Sequence, residues 1–255
     1  MASTETSPPE PPAHALDRAA LLAGLRARLA RLERGPGLGG GAPLLPLAPP
    51  LDAHLPWGGL PLAALHEILA PEPWQAGAAL GFAALLLARA EAALPGRSLL
   101  WIAPEPDAYP PGLLRFGLSP SALILVRATR PADALWAAEE ALRCTAVAAA
   151  LVLGPNPDLT AARRLQLAAE TGGGMGLLLR TEEAGAGPTA ALTRWRLAPR
   201  VAPIGPHELG DPGWELSLLR ARGGRPGSWL VEWDASRNRL DVQLFPETDI
   251  RRRKA

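Results

Sequence analysis

Apolar positions along this chain follow two patterns in succession. From Leu65 to Arg180, short runs that are apolar almost throughout (Leu65 to Leu69, Ser98 to Ala103, Ala122 to Arg127, Val147 to Leu153, Leu177 to Arg180) alternate with longer helical stretches. Continuous apolar runs of this length are the mark of strands buried on both faces, and their alternation with helices predicts an α/β core with a parallel sheet. The helices are expected over Ala76 to Leu94, Pro131 to Cys144 and Leu159 to Thr171, with Asp158 as the N-cap of the last. Leu135, Trp136, Glu139 and Leu142 combine a core stripe with an acidic exterior, and Thr171 to Gly176 (TGGGMG) reads as a helix C-cap and hinge. After a flexible loop from Thr181 to Ala190, the pattern changes. Leu192 to Ala198 alternates as a more exposed strand, and Trp214 to Ala221, Trp229 to Asp234 and Arg239 to Leu244 then follow one another without helices and predict antiparallel ribbons.

The first strand–loop–helix–strand unit, within Leu55 to Ala103, is the usual place for a phosphate-binding loop. Such a loop is Gly-rich, aims backbone N–H groups at phosphate and ends in Lys-Ser/Thr on the helix's first turn. At that position the chain has Ala70, Pro71, Glu72, Pro73, Trp74, Gln75, Ala76 and Gly77. Two prolines lack N–H donors, Glu72 repels phosphate, and Trp74 occupies space the backbone would need. Lys254, in the terminal tail, is the only lysine in the sequence, so a P-loop lysine is excluded. The strand Val147 to Leu153, which in nucleotide hydrolases of this layout ends in a magnesium-orienting acid, ends in Gly154-Pro155. The expectation is a chain with no nucleotide cofactor and no catalytic residue.

Composition narrows this further. Net charge is +1, so any attraction to nucleic acid must be local. Cys144 is the only cysteine, which excludes an intramolecular disulfide, and within its apolar helical run it is expected to be a small core residue. Four scattered histidines offer no metal-ligand spacing. Neither a secretory leader nor an uninterrupted membrane span is apparent, so a cytoplasmic protein without membrane contact is expected.

Residues 1–15 are Pro-rich and expected to be a disordered leader. Residues 16–34 form an amphipathic helix with Leu22, Leu25, Leu29 and Leu32 as its seam, and 35–50 are a Gly/Pro tether before a core over 51–246. The helix has two readings, docking on its own core or on another protein. The hairpin connection Arg222-Gly223-Gly224-Arg225-Pro226-Gly227-Ser228 also has two: a mobile cationic loop for phosphate or an acidic partner, or a long turn with arginines in water. The basic tail, 247–255, ends in Arg251, Arg252, Arg253 and Lys254.

LPWGGLPLAALHEI ahead of the loop, together with RPADALWAAEEALR, DLTAARRLQLAAE and LLRARGGRPGSWLVEWD, resembles the ImuA family of bacterial translesion-synthesis accessory proteins, relatives of RecA and of the cell-division inhibitor SulA. The resemblance covers about Leu51 to Leu244. It implies a RecA-like, mostly parallel sheet flanked by helices, antiparallel strands at the C-terminal end, and a tethered N-terminal helix. It further implies an adaptor in damage-induced mutagenic repair, with an ImuB-like polymerase homologue, an error-prone replicative-type polymerase and RecA as partners and self-association as a further contact. Any DNA contact is expected to be electrostatic and sequence-independent, carried by Arg222, Arg225 and Arg251 to Lys254. A SulA-like inhibitor and an ATP-dependent recombination protein are the competing functions.

Overall fold

A computed structural model describes residues 43–183, 187–200 and 211–245. Leu22, Leu25, Leu29, Leu32 and the tail Arg251 to Lys254 lie outside them, as does the 1–42 part of the expected leader, helix and tether.

The strands are β1 (Leu44–Leu45), β2 (Leu60–Pro61), β3 (Leu65–Ala70), β4 (Ser98–Ala103), β5 (Leu123–Arg127), β6 (Val147–Leu153), β7 (Met175–Thr181), β8 (Thr193–Pro199), β9 (Gly213–Ala221), β10 (Gly227–Asp234) and β11 (Arg239–Leu244). The helices are α1 (Pro49–Asp52), α2 (Ala76–Ala93), α3 (Pro110–Leu114), α4 (Pro131–Arg143) and α5 (Leu159–Gly172). β3 to β11 form one sheet in the order β11-β10-β9-β8-β3-β7-β6-β4-β5. Pairings from β5 to β8 are parallel, and those from β8 to β11 are antiparallel. This is the expected α/β architecture, a mostly parallel sheet between helices with antiparallel strands at its C-terminal end.

The two faces are covered differently. α2 packs on the face that carries Ile68 and Ala70 of β3, together with Trp195, Trp214, Trp229 and Trp233. By length and mean hydropathy (1.4) the stretch 73–93 would also pass for a membrane span; here Ala79, Ala90 and the run from Phe82 to Ala88 are buried in the core. α4 and α5 cover the opposite face over β3, β4, β6 and β7, and the Leu65 amide donates to Gln166 Oε1 at 2.9 Å, tying α5 to β3.

The glycines around the α5–β7 turn have distinct jobs. Gly173 takes φ +75° and caps α5, a conformation costly for a side chain bearing Cβ. Gly172 lets α5 approach α4: a Cβ there would lie 2.1 Å from the Leu142 carbonyl oxygen.

Several expectations are corrected. Trp136 is 65% exposed and Glu139 only 4%, the reverse of a Trp-containing core stripe with an acidic exterior. α4 approaches the sheet through Ala134, Ala138, Ala141 and Leu142, which turns Trp136 outward. Glu139 lies on the flank facing α5, where Arg143 and Arg164 both bind its carboxylate. Cys144 is exposed, because it follows the last turn of α4 instead of lying on its buried face. The end of the expected tether is part of the fold: Leu45 and Leu47 are buried, β1 pairs with β2, and Arg89 Nη1 donates to the Pro46 and Leu47 carbonyls at 2.9 and 3.0 Å. The flanks of the expected flexible loop are pinned, Glu182 by Arg196 at 2.8 Å and Thr189 by Glu67 at 2.7 Å.

Candidate functional site

The carboxyl ends of parallel strands, where the chain turns into helices, are where α/β proteins place ligands. After β3 the backbone makes a 3₁₀ turn at Pro73–Gln75 and enters α2 without a side-chain cap. Glu72 is exposed and Trp74 is 76% exposed, so the loop sends its charge and its aromatic ring outward. Behind it lies a cleft of about 270 Å³ lined by Ala70, Pro73, Ala76, Leu80, Leu153 and Leu179 together with Arg180 and Thr181. The end of β6 contributes Gly154, at φ +98°. The lining is mostly apolar and its cation, Arg180, is engaged by Glu67 and Asn156, so the cleft suits an apolar side chain better than phosphates, which need available cations and convergent N–H groups.

Two polar systems sit within β3. His66 is fully buried and faces two partners: Nε2 is 2.8 Å from the Pro61 carbonyl oxygen, and Nδ1 is 2.7 Å from Thr193 Oγ1. A carbonyl only accepts, so Nε2 carries the proton and donates to it. Thr193 then donates to Nδ1, and its oxygen accepts from Trp195 Nε1 at 2.9 Å. Burial lowers the His66 pKa to about 4, against a smaller upward effect of the Pro61 hydrogen bond. The imidazole is thus a neutral structural link between β2, β3 and β8.

Glu67 points to the other face and is 1% exposed. Arg180 Nη2 donates to its Oε1 at 2.6 Å, Thr189 Oγ1 to the same oxygen at 2.7 Å, and Arg194 Nε to Oε2 at 2.6 Å. Arg180 also binds Asn156. Burial lowers the Arg180 pKa, Glu67 counters this, and repulsion from Arg194 adds to the lowering. Sequence reasoning missed this cluster, although one signal was present: a carboxylate inside an otherwise apolar strand must find a cation in the fold.

The Arg222 to Ser228 connection proves to be an anchored hairpin turn. The Arg225 amide donates to the His54 carbonyl at 3.0 Å, Arg225 Nη2 reaches the Ala53 carbonyl at 3.4 Å, and His54 Nδ1 donates to the Arg225 and Pro226 carbonyls at 3.1 and 3.2 Å. The Arg222 amide donates to the Leu192 carbonyl at 3.1 Å. The connection is therefore a tethered turn and not a mobile loop: its backbone is held to Leu192 and His54, while Arg225 is exposed and Arg222 half-buried.

No family model matches the chain. Protein ImuA of Caulobacter vibrioides is 41% identical over 198 residues, 72% of this chain and 80% of that protein, in each of two strains (NA1000 / CB15N and ATCC 19089 / CIP 103742 / CB 15). The crystal structure of SulA from Pseudomonas aeruginosa is 26% identical with a TM-score of 0.39, covering 46% of this chain and 97% of that one. At that identity, over four fifths of the relative's length, the chain belongs to the ImuA family.

Proposed function

We propose that this protein is a non-catalytic accessory of translesion DNA synthesis after DNA damage, acting in the cytoplasm through contacts with polymerase-like partners and RecA. The chemistry at the ends of β3 and β6 carries the reading. Prolines, an outward-facing Glu72 and an apolar cleft stand where a nucleotide hydrolase concentrates cations and N–H donors. Membership in the ImuA family supports the damage-response setting. Partner docking is assigned to the amphipathic segment with Leu22, Leu25, Leu29 and Leu32, whose apolar seam suits a single groove.

Two measurements test this. Titration with Mg²⁺-ATP is expected to give no heat of binding, and micromolar affinity would refute the non-catalytic reading. Replacing Leu25 and Leu29 with Asp is expected to abolish co-purification with polymerase partners from damaged cells while the melting temperature holds. Unchanged co-purification would refute the docking role, and a collapsed melting temperature would show that the segment belongs to its own core.

A further inference from the structure

A groove of about 600 Å³ opens where the described chain begins. The strap from β1 into α1 lines it together with the last turn of α2, and Asn238 and Arg239 of the β10–β11 turn lie beside them. Leu44 is 40% exposed, turned outward from the buried Leu45 next to it. Pro46, Pro49, Ala92 and Ala93 are exposed in the same groove.

The charged groups of this groove already have partners. Asp52 accepts from the Leu47 amide through both oxygens, at 3.1 and 3.2 Å. Arg89 donates to the Pro46 and Leu47 carbonyls and lies over the Trp233 ring, 5.8 Å from its centroid. Arg239 pairs with Asp241 at 2.9 Å. The same bonds hold the strap to the end of α2, so the groove is preformed. What remains to be covered is apolar, a leucine with two prolines and two alanines, and covering it favours an aliphatic ligand.

The chain supplies such a ligand at close range. Leu22, Leu25, Leu29 and Leu32 recur at the spacing by which a helix anchors in an apolar groove, and as a helix they span about 15 Å. Residues 35–42, GPGLGGGA, are all that separate Arg34 from Pro43, the neighbour of the groove residue Leu44. A Gly-rich link of this length has an r.m.s. span of about 15 Å. Across so short a link the effective concentration of segment and groove is on the order of millimolar. A second copy or another protein, at about micromolar concentration, competes at a disadvantage of about a thousandfold for equal complementarity. Reach therefore selects the chain's own segment as the occupant.

We propose that the leucine seam of residues 16–34 docks in cis into the groove between the β1–α1 strap and the end of α2, and that partners must displace it. A helix of this length is marginal alone in water, and the groove gives its apolar side a surface. A partner that uses the seam then meets a competitor within the same molecule, which lowers its apparent affinity by the fraction of chains that stand open. This competition rests on the adaptor reading, whereas the docking itself stands without it.

Cross-linking of the full chain with a short bismaleimide tests the contact. Cys144→Ser removes the exposed native thiol, and Glu33→Cys beside the seam and Ala93→Cys in the groove supply one on each side. The expected product joins the two thiols within one chain, at a rate independent of protein concentration. Replacing Leu25 and Leu29 with Asp, or Leu44 and Ala92 with Glu, should slow it at least about tenfold, because charge is placed in an apolar contact. Leu44 and Ala92 are exposed, so the melting temperature of that variant should hold. A product joining two chains and rising with concentration would make a second copy the occupant and overturn the proposal. So would a rate indifferent to the charged variants, which would mean that the link alone brings the thiols together, and so would the absence of product. An intact intramolecular product with co-purification unaffected by Leu25→Asp and Leu29→Asp would sink the partner reading alone, and the reverse result would sink only the cis contact.

Discussion

The parallel and antiparallel halves of the one sheet solve burial in opposite ways. β3 and β6 are buried essentially from end to end because helices close both of their faces. β9 and β10 alternate, with Trp214, Leu216 and Leu218, then Trp229, Val231 and Trp233, turned to the core and polar groups on the other side. In the ribbon, large indoles fill the layer and their N–H groups find fixed acceptors: Trp214 donates to the Ala78 carbonyl at 2.8 Å and Trp233 to the Arg115 carbonyl at 3.0 Å. Ion pairs on its open face, such as Arg200–Glu232 at 3.2 Å, stay partly in water. Inside β3 there is no such option, so Glu67 is bound by fully formed charge-assisted bonds. The same residue type is nearly optional in one half and structural in the other, because its surroundings set the cost of leaving it unpaired.

Breaking the buried cluster should have the largest effect. Glu67→Ala strands two buried guanidiniums and is expected to cost about 3–5 kcal/mol, read as a lower denaturant midpoint. An unchanged midpoint would mean the cluster is effectively solvated, and the contrast between the halves would fail.

His66 comes next. The unfolded imidazole takes up a proton as pH falls through 6.5, while the folded one stays neutral down to about 4. Protons therefore bind the unfolded chain first, so stability is full above pH 6.5, declines between 6.5 and 4, and levels off below. The total loss is about 3 kcal/mol. In His66→Gln that part of the pH profile should flatten even though the variant is less stable throughout. A profile that keeps the same slope would place the titrating group elsewhere.

Gly172→Ala probes helix-on-helix packing in the parallel half. The added methyl meets the Leu142 carbonyl and must push α5 away from α4, at about 1–3 kcal/mol. Retained stability would show that the interface yields easily.

The smallest effect is expected on the open ribbon face. Arg200→Ala should change stability by no more than about 1 kcal/mol. A loss of the size expected for Glu67→Ala would show that this face is as dry as the core.

Much of this was legible beforehand, for local reasons. Ser98–Ala103, Val147–Leu153 and Arg239–Leu244 are strands with the bounds their apolar runs predict, and Asp158 accepts from the Ala161 amide at 2.7 Å as the N-cap of α5. Strand and helix periodicities, capping residues and turn glycines act within a few positions of one another, so a linear reading recovers them. The change from continuous to alternating apolar runs likewise marked where the sheet turns from parallel to antiparallel.

What the linear reading could not supply were choices made between distant segments. Helical spacing allows Trp136 and Glu139 to exchange roles. The close approach of α4 to the sheet through alanines, and the position of Arg164 on α5, decided that the carboxylate goes in and the indole out. The end of the tether was drawn into the fold by β2 and by Arg89, neither of which its Gly/Pro composition reveals. Glu67 takes its partners from strands 113 and 127 residues further on. The sequence by itself determined which segments become strands and helices, because those preferences are short-ranged. Only the tertiary structure decided which charges meet, because burial removes water as their alternative partner wherever the chain happens to close.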